Sequence, residues 1–425
     1  MKKILVWGGV SVLVVLMAVG AWLMLRPQVI TMSDGSKLTL VAVQYGKKHT
    51  SPSTKGARRG NSINSTNDTL VVWVRQQYDS QQYHYFQYFV YDKAGTACVG
   101  ANNYGGNRQG DEVVGIQLNG FPRRQGSFVV HVQEQSNNGQ EIADQKFTIR
   151  NPARGPFMDF KPDSLPNTQE DDDVSVTLTK LAVGASMPYT RNNDDPDDAM
   201  NKGVQATFQV ARGGKPVTNW QPVTVETSDA TGNRVYGSVA GNQWSGNDDA
   251  VTYQYGLWPD EPAWKLRVEF SQQSDFADNE LWSVQNIPLV SGRQQDFYNF
   301  NSRRTTNPAV AETDLNGFHL KIVPAIQFTD VPPNSQPQGG LTIQVNPALP
   351  NGMRLTLVKL TDNQTNDIAS WNSGTMGDGR TTTYRYGLRD LYGATNLNLT
   401  IALHKSRFVE FTAKPEQTPA AAATP

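Results

Sequence analysis

One short acidic segment has the residue types that suit a divalent cation. Residues 192–198 read NNDDPDD and so combine four carboxylates with two amides. Calcium takes roughly six to eight oxygen ligands, and carboxylates and Asn carbonyls are common donors. The spacing matches no EF-hand, because there is no Gly at the sixth position and Pro196 interrupts the run. A solvated acidic loop is therefore the preferred interpretation and calcium is the alternative, with these candidate ligands: Asp194, Asp195, Asp197 and Asp198.

A second segment has the composition of a ligand surface. Residues 83–91 read YHYFQYFVY. Alternate residues of a strand point to opposite faces, so one face of this segment should present an aromatic strip. Such a strip suits sugar rings, peptides or another domain, while cross-strand packing within a sheet is the structural alternative. His49 is a further candidate, with turn capping as its alternative. The candidate ligand-surface residues are Tyr83, Tyr85, Tyr88, Tyr91 and His49.

The sequence shows no catalytic signature. It has no Gly-x-Ser-x-Gly elbow, Walker loop, His-Glu-x-x-His or Cys-x-x-Cys motif. A single Cys excludes an internal disulfide and a Cys-based zinc site. The net charge of −1, without a long basic run, argues against nucleic-acid binding. We expect a protein that is not an enzyme and has no nucleic-acid partner, with no cofactor unless the acidic segment binds calcium; a hydrolase is the least favoured class.

The N-terminal residues predict a membrane anchor. Residues 4–25 are apolar or small throughout. At about 1.5 Å per residue the run is long enough to cross a hydrocarbon core of about 30 Å. Lys2 and Lys3 precede it and predict a cytoplasmic N-terminus. Residues 1–28 are therefore expected to be a cytoplasmic tip and a single-pass anchor in the cell membrane, with an extracytoplasmic body. A cleaved signal peptide is the alternative, since Ala18 and Gly20 suit a cleavage site.

The body shows strand-like alternation and an internal repeat. The segment TYQYGL at 252–257 recurs as TYRYGL at 383–388, and IQLNGF at 116–121 is a weaker copy. Upstream of each copy, an aspartate is expected to build a hairpin turn: Asp92, Asp229 and Asp362. The pattern predicts an all-β fold, with an N-terminal transmembrane helix followed by three tandem immunoglobulin-like β-sandwich domains.

The composition of the connecting segments predicts the domain boundaries. Pro-rich and polar stretches without periodicity are expected to be linkers. In this division Leu281–Ile287 closes the second domain and Phe408–Phe411 closes the third. The predicted domains are 29–152, 173–290 and 317–413, the linkers are 153–172 and 291–316, and the disordered Pro/Ala tail is 414–425.

The residues that follow the anchor carry a family resemblance. Residues 33–49 read SDGSKLTLVAVQYGKKH. This resembles the DGS-x-LTL-x-x-V-x-YG-x-x-H opening of uncharacterised bacterial, Verrucomicrobia-like, membrane-anchored β-sandwich proteins. The resemblance covers this segment only, and it implies a compartment and a fold but no activity.

These observations together predict a function class. We expect a membrane-anchored, extracytoplasmic, non-catalytic interaction or scaffold protein of the bacterial cell envelope. Its partners would be the lipid bilayer, through residues 4–25, and an envelope protein or a glycan. A carbohydrate-binding surface protein is the alternative.

Overall fold

The structure is a computed structural model of the chain. The predicted anchor, the acidic segment 192–198 and Tyr83 all lie outside the residues that it describes. Within the described residues, no helix combines the length and the apolar character needed to span a membrane. The described residues are 28–52, 62–78, 85–91, 97–100, 102–104, 111–118, 120–135, 141–153, 155–186, 202–238, 241–244, 250–254, 257–298, 308–332 and 336–417.

The described part of the protein is all-β, as the alternation of apolar residues predicts. Its strands form several mostly antiparallel sheets, which pack around three large hydrophobic clusters. We call these clusters, with the strands around them, the first, second and third cores.

The first core is built from β1 (Val29–Thr31), β2 (Lys37–Thr50), β3 (Ser62–Gln77), β4 (Tyr85–Tyr91), β5 (Ala97–Gly100), β6 (Asn102–Tyr104), β7 (Asp111–Leu118), β8 (Ser127–Gln135) and β9 (Glu141–Arg150). One sheet has the order β1-β2-β3-β7-β6 and the other β5-β4-β8-β9. Val72 of β3, Val130 of β8 and Phe147 of β9 are fully buried between them. Apolar residues on one face of each sheet therefore supply the core.

The second core begins with β10 (Asn167–Asp171), β11 (Val174–Ser186), β12 (Lys202–Arg212), β13 (Lys215–Pro216), β14 (Trp220–Asp229), β15 (Arg234–Ser238), β16 (Gly241–Trp244), β17 (Ala250–Gln254) and β18 (Trp264–Gln272). One sheet runs β10-β11-β12-β17-β16, with β13 beside β12, and the other contains β15-β14-β18. Phe208 and Phe270 meet edge to face between these sheets, with their ring centroids 5.4 Å apart.

The third core contains β19 (Leu281–Gly292), α1 (Gln294–Tyr298), β20 (Ala311–Leu315), β21 (Phe318–Ile322), β22 (Ala325–Phe328), β23 (Gln338–Asn346), β24 (Met353–Asp362), β25 (Ala369–Gly377), β26 (Thr382–Arg389) and β27 (Asn396–Lys405). A short 3-10 helix, Asp278–Glu280, precedes β19. The strand order is β20-β21-β23-β22-β19-β27-β24, and β26 joins β25 to β23. β19 pairs with β27 along its first part and with β22 along its last part.

The last two strands, β28 (Arg407–Ala413) and β29 (Glu416–Gln417), return to the second core. β28 pairs antiparallel with β18, and β29 pairs parallel with β11. Phe411 is buried in the second cluster. The third core is therefore an insertion between β18 and β28 of the second core.

This connectivity differs from the predicted one, because the strands that were expected to close the second and third domains belong to other cores. Leu281–Ile287 was expected to close the second domain, but it belongs to β19 and pairs in the third core. Phe408–Phe411 was expected to close the third domain, but it belongs to β28 and pairs in the second. Alternation shows that a strand is half-buried, but it does not show which sheet the strand joins.

The predicted linkers also contain regular structure. β10 lies within 153–172 and forms a hairpin with β11, while β20 lies within 291–316 and forms a hairpin with β21. The second of these segments also contains α1, which lies before β20 and buries Phe297 (3% exposed). Both segments are therefore partly incorporated into the cores.

Candidate functional site

His49 lies inside the first core's β2–β3 pair rather than on a ligand surface. His49 is 1% exposed, and its Nε2 is 3.2 Å from Thr69 Oγ1. Thr69 Oγ1 is in turn 2.8 Å from Ser65 Oγ. Burial lowers the pKa of His49 and favours the neutral imidazole. The structure thus places this candidate away from solvent.

The aromatic segment divides between the core and the outer face of its sheet. Tyr88 is 1% exposed, and its hydroxyl accepts a 2.7 Å hydrogen bond from Gln76. Burial raises the pKa of Tyr88. Tyr85 begins β4, opposite Gln135. Tyr88 therefore contributes to packing rather than to an exposed strip.

Tyr91 lies on the outer face with partners that the sequence did not reveal. Its ring meets His131 edge to face, with the centroids 4.7 Å apart. Its hydroxyl accepts a 2.8 Å hydrogen bond from Gln133. His131 Nδ1 is 2.8 Å from Asp144 Oδ2. We call Tyr91, His131, Gln133 and Asp144 the outer patch. No sequence motif links the outer patch, because three strands supply it.

The structure neither tests nor locates the calcium prediction. Asp194, Asp195, Asp197 and Asp198 lie outside the described residues. Among the residues that are described, no group of three or more His, Cys, Asp and Glu side chains is arranged to hold a metal ion.

The predicted aspartate turns are present where they are described. Asp229 Oδ1 accepts hydrogen bonds from the backbone N–H groups of Thr231 and Asn233, at 2.9 and 3.1 Å. Asp362 Oδ1 accepts two equivalent bonds, both 2.8 Å long, from Gln364 and Asn366. The turn interpretation of these two carboxylates is confirmed, and Asp92 lies outside the described residues.

The Asp229 turn holds the first core against the second through Arg123, which lies between β7 and β8. Arg123 is 4% exposed. Its guanidinium donates to four oxygen atoms: Asn233 Oδ1 at 2.8 Å, Tyr45 Oη at 2.6 Å, the Asp68 carbonyl at 2.9 Å and the Thr231 carbonyl at 3.2 Å. It also lies 5.0 Å from the centroid of the Phe121 ring. Burial lowers the pKa of Arg123, and the electrostatic effects of Tyr45, Asp229 and Asp68 offset only part of this shift.

Asn233 completes the same junction with its side-chain amide. Its Nδ2 donates to the Phe121 carbonyl at 2.9 Å, and its Oδ1 accepts from the Phe121 N–H at 3.2 Å. Gly232 has a φ of +96°, and a Cβ there would lie 3.2 Å from Arg123 Nη1. The turn therefore needs glycine both for its backbone conformation and for the approach of Arg123.

A second set of contacts supports this junction. Arg124 Nε lies 3.1 and 3.0 Å from the two carboxylate oxygens of Glu261, and Arg124 Nη2 donates to Asp159 at 2.7 Å. Burial raises the pKa of Glu261, and the hydrogen bond from Arg124 offsets only part of this effect. Trp258, from the segment between β17 and β18, packs into the first core.

The junction between the second and third cores contains an ion pair whose carboxylate is buried and whose arginine is part-exposed. Arg354 of β24 donates two hydrogen bonds, of 2.7 and 2.6 Å, to the carboxylate of Glu269 on β18. Ser406 Oγ donates a third, of 2.6 Å, to the same carboxylate. Burial raises the pKa of Glu269, but the hydrogen bonds from Arg354 and Ser406 outweigh it, so that the net pKa is lowered. Such bidentate pairs fix orientation as well as distance.

Two clefts open at these junctions. A cleft of about 660 Å³ lies between the first core and the outer face of the β15-β14-β18-β28 sheet. A cleft of about 580 Å³ lies between the second and third cores, where it is lined by Trp220, His404 and Arg407. Both volumes fall within the range of roughly 300–1,000 Å³ typical of small-molecule sites.

Comparison with known proteins adds no relative. No family model matches the chain, and no curated protein matches it. The resemblance carried by residues 33–49 therefore stays a prediction.

Proposed function

We propose that this protein is a membrane-anchored, non-catalytic scaffold of the bacterial cell envelope, built from three immunoglobulin-like sandwich modules outside the cytoplasm. The observation that carries the scaffold role is the Arg123 junction, in which a buried guanidinium joins the first core to the turn of the second. Directional hydrogen bonds to a buried charge hold one geometry, since every displaced bond leaves a polar group unsatisfied. A body with fixed internal orientation suits the presentation of a binding surface.

The membrane anchor in this proposal rests on the sequence. Residues 4–25 form the apolar run, and β1 begins at Val29, after three intervening residues. The first core would then lie next to the bilayer, with the second and third cores farther along the chain.

Spin-label distance measurements test the fixed orientation. Labels at Val129→Cys on the first core and Lys215→Cys on the second, in a Cys98→Ser background of the full-length protein, should give one narrow distance distribution. Adding Arg123→Met should broaden it, whereas Arg150→Met, which removes an exposed arginine of β9, should not. A broad distribution in the protein without Arg123→Met would contradict the proposal.

Labelling of spheroplasts tests the compartment. A membrane-impermeant maleimide should modify Tyr392→Cys in intact spheroplasts, because Tyr392 is 61% exposed. Lys3→Cys, at the predicted cytoplasmic tip, should react only after lysis. The reverse pattern, or release of the unmodified protein by alkaline carbonate, would exclude the anchored extracytoplasmic arrangement.

Carbohydrate binding is the second candidate function, and the outer patch favours it. A partly exposed aromatic ring beside an imidazole, an amide and a carboxylate is a combination that suits sugar rings and their hydroxyls. A glycan array with the full-length protein should show a signal that Tyr91→Ala abolishes and Tyr392→Ala, a second exposed tyrosine, preserves. Equal loss in both variants, or no signal from the wild type, would reject the outer patch.

A further inference from the structure

The cleft between the first core and the second carries more positive than negative side chains. Its cationic lining residues are Lys47, Arg123, Arg234, Lys265 and Arg267, and its acidic lining residues are Asp68, Glu226 and Glu410. Five cations against three carboxylates leave an excess of two positive charges. Since a concave site with protein on several sides strengthens the local potential, anions should collect there.

The pairing within the cleft shows which cations remain available. Glu226 is bound by Arg234, and Glu410 lies 2.9 Å from Lys265. Arg267 stands between these carboxylates on β18, but its guanidinium packs over the Phe408 ring, 4.7 Å from the centroid. Within the described part of the chain, neither Arg267 nor Lys47 has an ion-pair partner. Both side chains are exposed to the cleft's solvent.

Arg123 adds a buried charge to the same cleft. It lines the cleft but is 4% exposed, and its hydrogen bonds go to neutral oxygens. Buried arginines are usually paired with an acid, because an isolated charge is costly to remove from water. The nearby carboxylates of Asp229 and Asp68 offset part of this cost, and an anion in the cleft would add to that compensation.

We propose that this cleft binds a small multivalent anion, carrying phosphate or carboxylate groups, through Lys47 and Arg267 with Arg123 behind them. Arg267 suits bidentate recognition of such groups, because its planar guanidinium lies over the Phe408 ring and has no ion-pair partner among the described residues. Lys47 supplies a second, exposed cation from the opposite core. A ligand held by both would bridge the two cores. The proposal does not depend on the scaffold role.

Isothermal titration calorimetry with the full-length protein tests this, with inorganic phosphate in one arm and citrate in the other. We expect binding in at least one arm, weakened as sodium chloride is raised, and the arm that responds identifies the anionic group. Lys47→Gln and Arg267→Gln should each weaken binding by about fivefold or more. Lys48→Gln is the matched control, because Lys48 is an exposed neighbour on β2 that does not line the cleft.

Three outcomes would overturn the proposal. These are the absence of binding in both arms, an equal effect of Lys47→Gln and Lys48→Gln, and retention of full affinity in Arg267→Gln. Circular dichroism of each variant at the titration temperature shows whether the sheets are retained, so that loss of folding is not read as loss of the site.

Discussion

At the scale of single residues, the buried charges of the two junctions are stabilised in different ways. Arg123 is surrounded by carbonyl, amide and hydroxyl oxygens, whereas Glu269 is paired directly with Arg354. The first arrangement uses dipoles and the second uses an opposite charge. The two junctions should therefore respond differently to mutation and to pH.

We predict that Arg123→Met lowers the free energy of unfolding by about 2–4 kcal/mol, because it removes four hydrogen bonds to buried or part-buried acceptors. Urea denaturation followed by tryptophan fluorescence measures this. Arg150→Met removes an exposed arginine and should change the free energy by less than about 0.5 kcal/mol. Similar effects of the two substitutions would show that the Arg123 junction contributes little.

Glu269 and Glu261 should give pH dependences of opposite sign. The pKa of Glu269 is lowered from 4.5, so this carboxylate stabilises the fold above that pH, and the contribution is lost as pH falls through the lowered pKa. The pKa of Glu261 is raised from 4.5, so its contribution is present below that pH and is lost as pH rises through the raised pKa.

Comparison of each Glu→Gln variant with the wild type across the acidic range measures these trends. On acidification, the free energy of unfolding of the wild type should fall relative to that of Glu269→Gln. Relative to that of Glu261→Gln, it should rise. Parallel curves for the two variants would contradict the assigned directions.

The sequence predicted part of this residue-scale picture. The hydrogen-bonding roles of Asp229 and Asp362 followed from turn chemistry, which is local. The burial of His49 and Tyr88 did not follow, because a period of two separates the faces of a strand without saying which face meets the core. The Arg123 junction could not be predicted, since its acceptors lie far apart in the chain.

At the scale of elements, glycines allow close approach between strands of the third core. Gly387 lies opposite Trp371 in the register of β26 and β25, and a Cβ at Gly387 would fall 2.1 Å from the indole. A Cβ at Gly340 would meet the Phe297 ring at 2.4 Å. The glycine of the copy at 383–388 thus has a packing reason, since the Trp371 ring lies over the bare backbone of Gly387.

Gly339→Ala should destabilise the third core by about 1–3 kcal/mol. A Cβ there would lie 2.3 Å from the Ile326 carbonyl oxygen, and a backbone atom cannot move aside as a side chain can. Hydrogen exchange of β22 and β23 should accelerate. Gly377→Ala is the control in the same core, because its nearest neighbour is Thr381 O at 3.8 Å. Unchanged exchange in Gly339→Ala would show that the strands separate without cost.

A local turn signal also lies at the end of the predicted linker 291–316. The dipeptide Asn316-Gly317 connects β20 to β21, with φ values of +52° and +82°. Asn-Gly between alternating segments is a strong local indicator of a two-residue hairpin. The predicted boundary at residue 316 therefore falls inside the β20–β21 hairpin, whose turn is formed by Asn316-Gly317.

At the scale of the whole molecule, the insertion of the third core decides which part a C-terminal truncation damages. A chain that ends at Lys405 lacks β28 and so removes a partner of β18, while β19–β27 stay complete. Hydrogen exchange should therefore accelerate in β14 and β18 and stay slow in β27. A chain that ends at Gln417 is the control and should match the full-length protein. Loss of protection in β27, with β18 unaffected, would support the uninterrupted domain order instead.

The connectivity is the part of the fold that the sequence could least reveal. Strand content and the repeat followed from local periodicity, and the all-β prediction is confirmed. Which core receives Val409 and Phe411 depends on pairing across more than a hundred residues. Both β19 and β28 contain apolar residues. Composition and spacing alone therefore allow either strand to close either core.

The same connectivity sets an order of events during synthesis on the ribosome. β18 emerges well before β28, because the segment from Gln273 to Ser406 must be made in between. At roughly 5–20 residues per second, those ~130 residues take about 7 to 27 seconds. Throughout that interval β18 has an open edge, which is a template for pairing with other chains. The third core, whose strands are contiguous, can be completed first, and the second core closes only after β28 has been made.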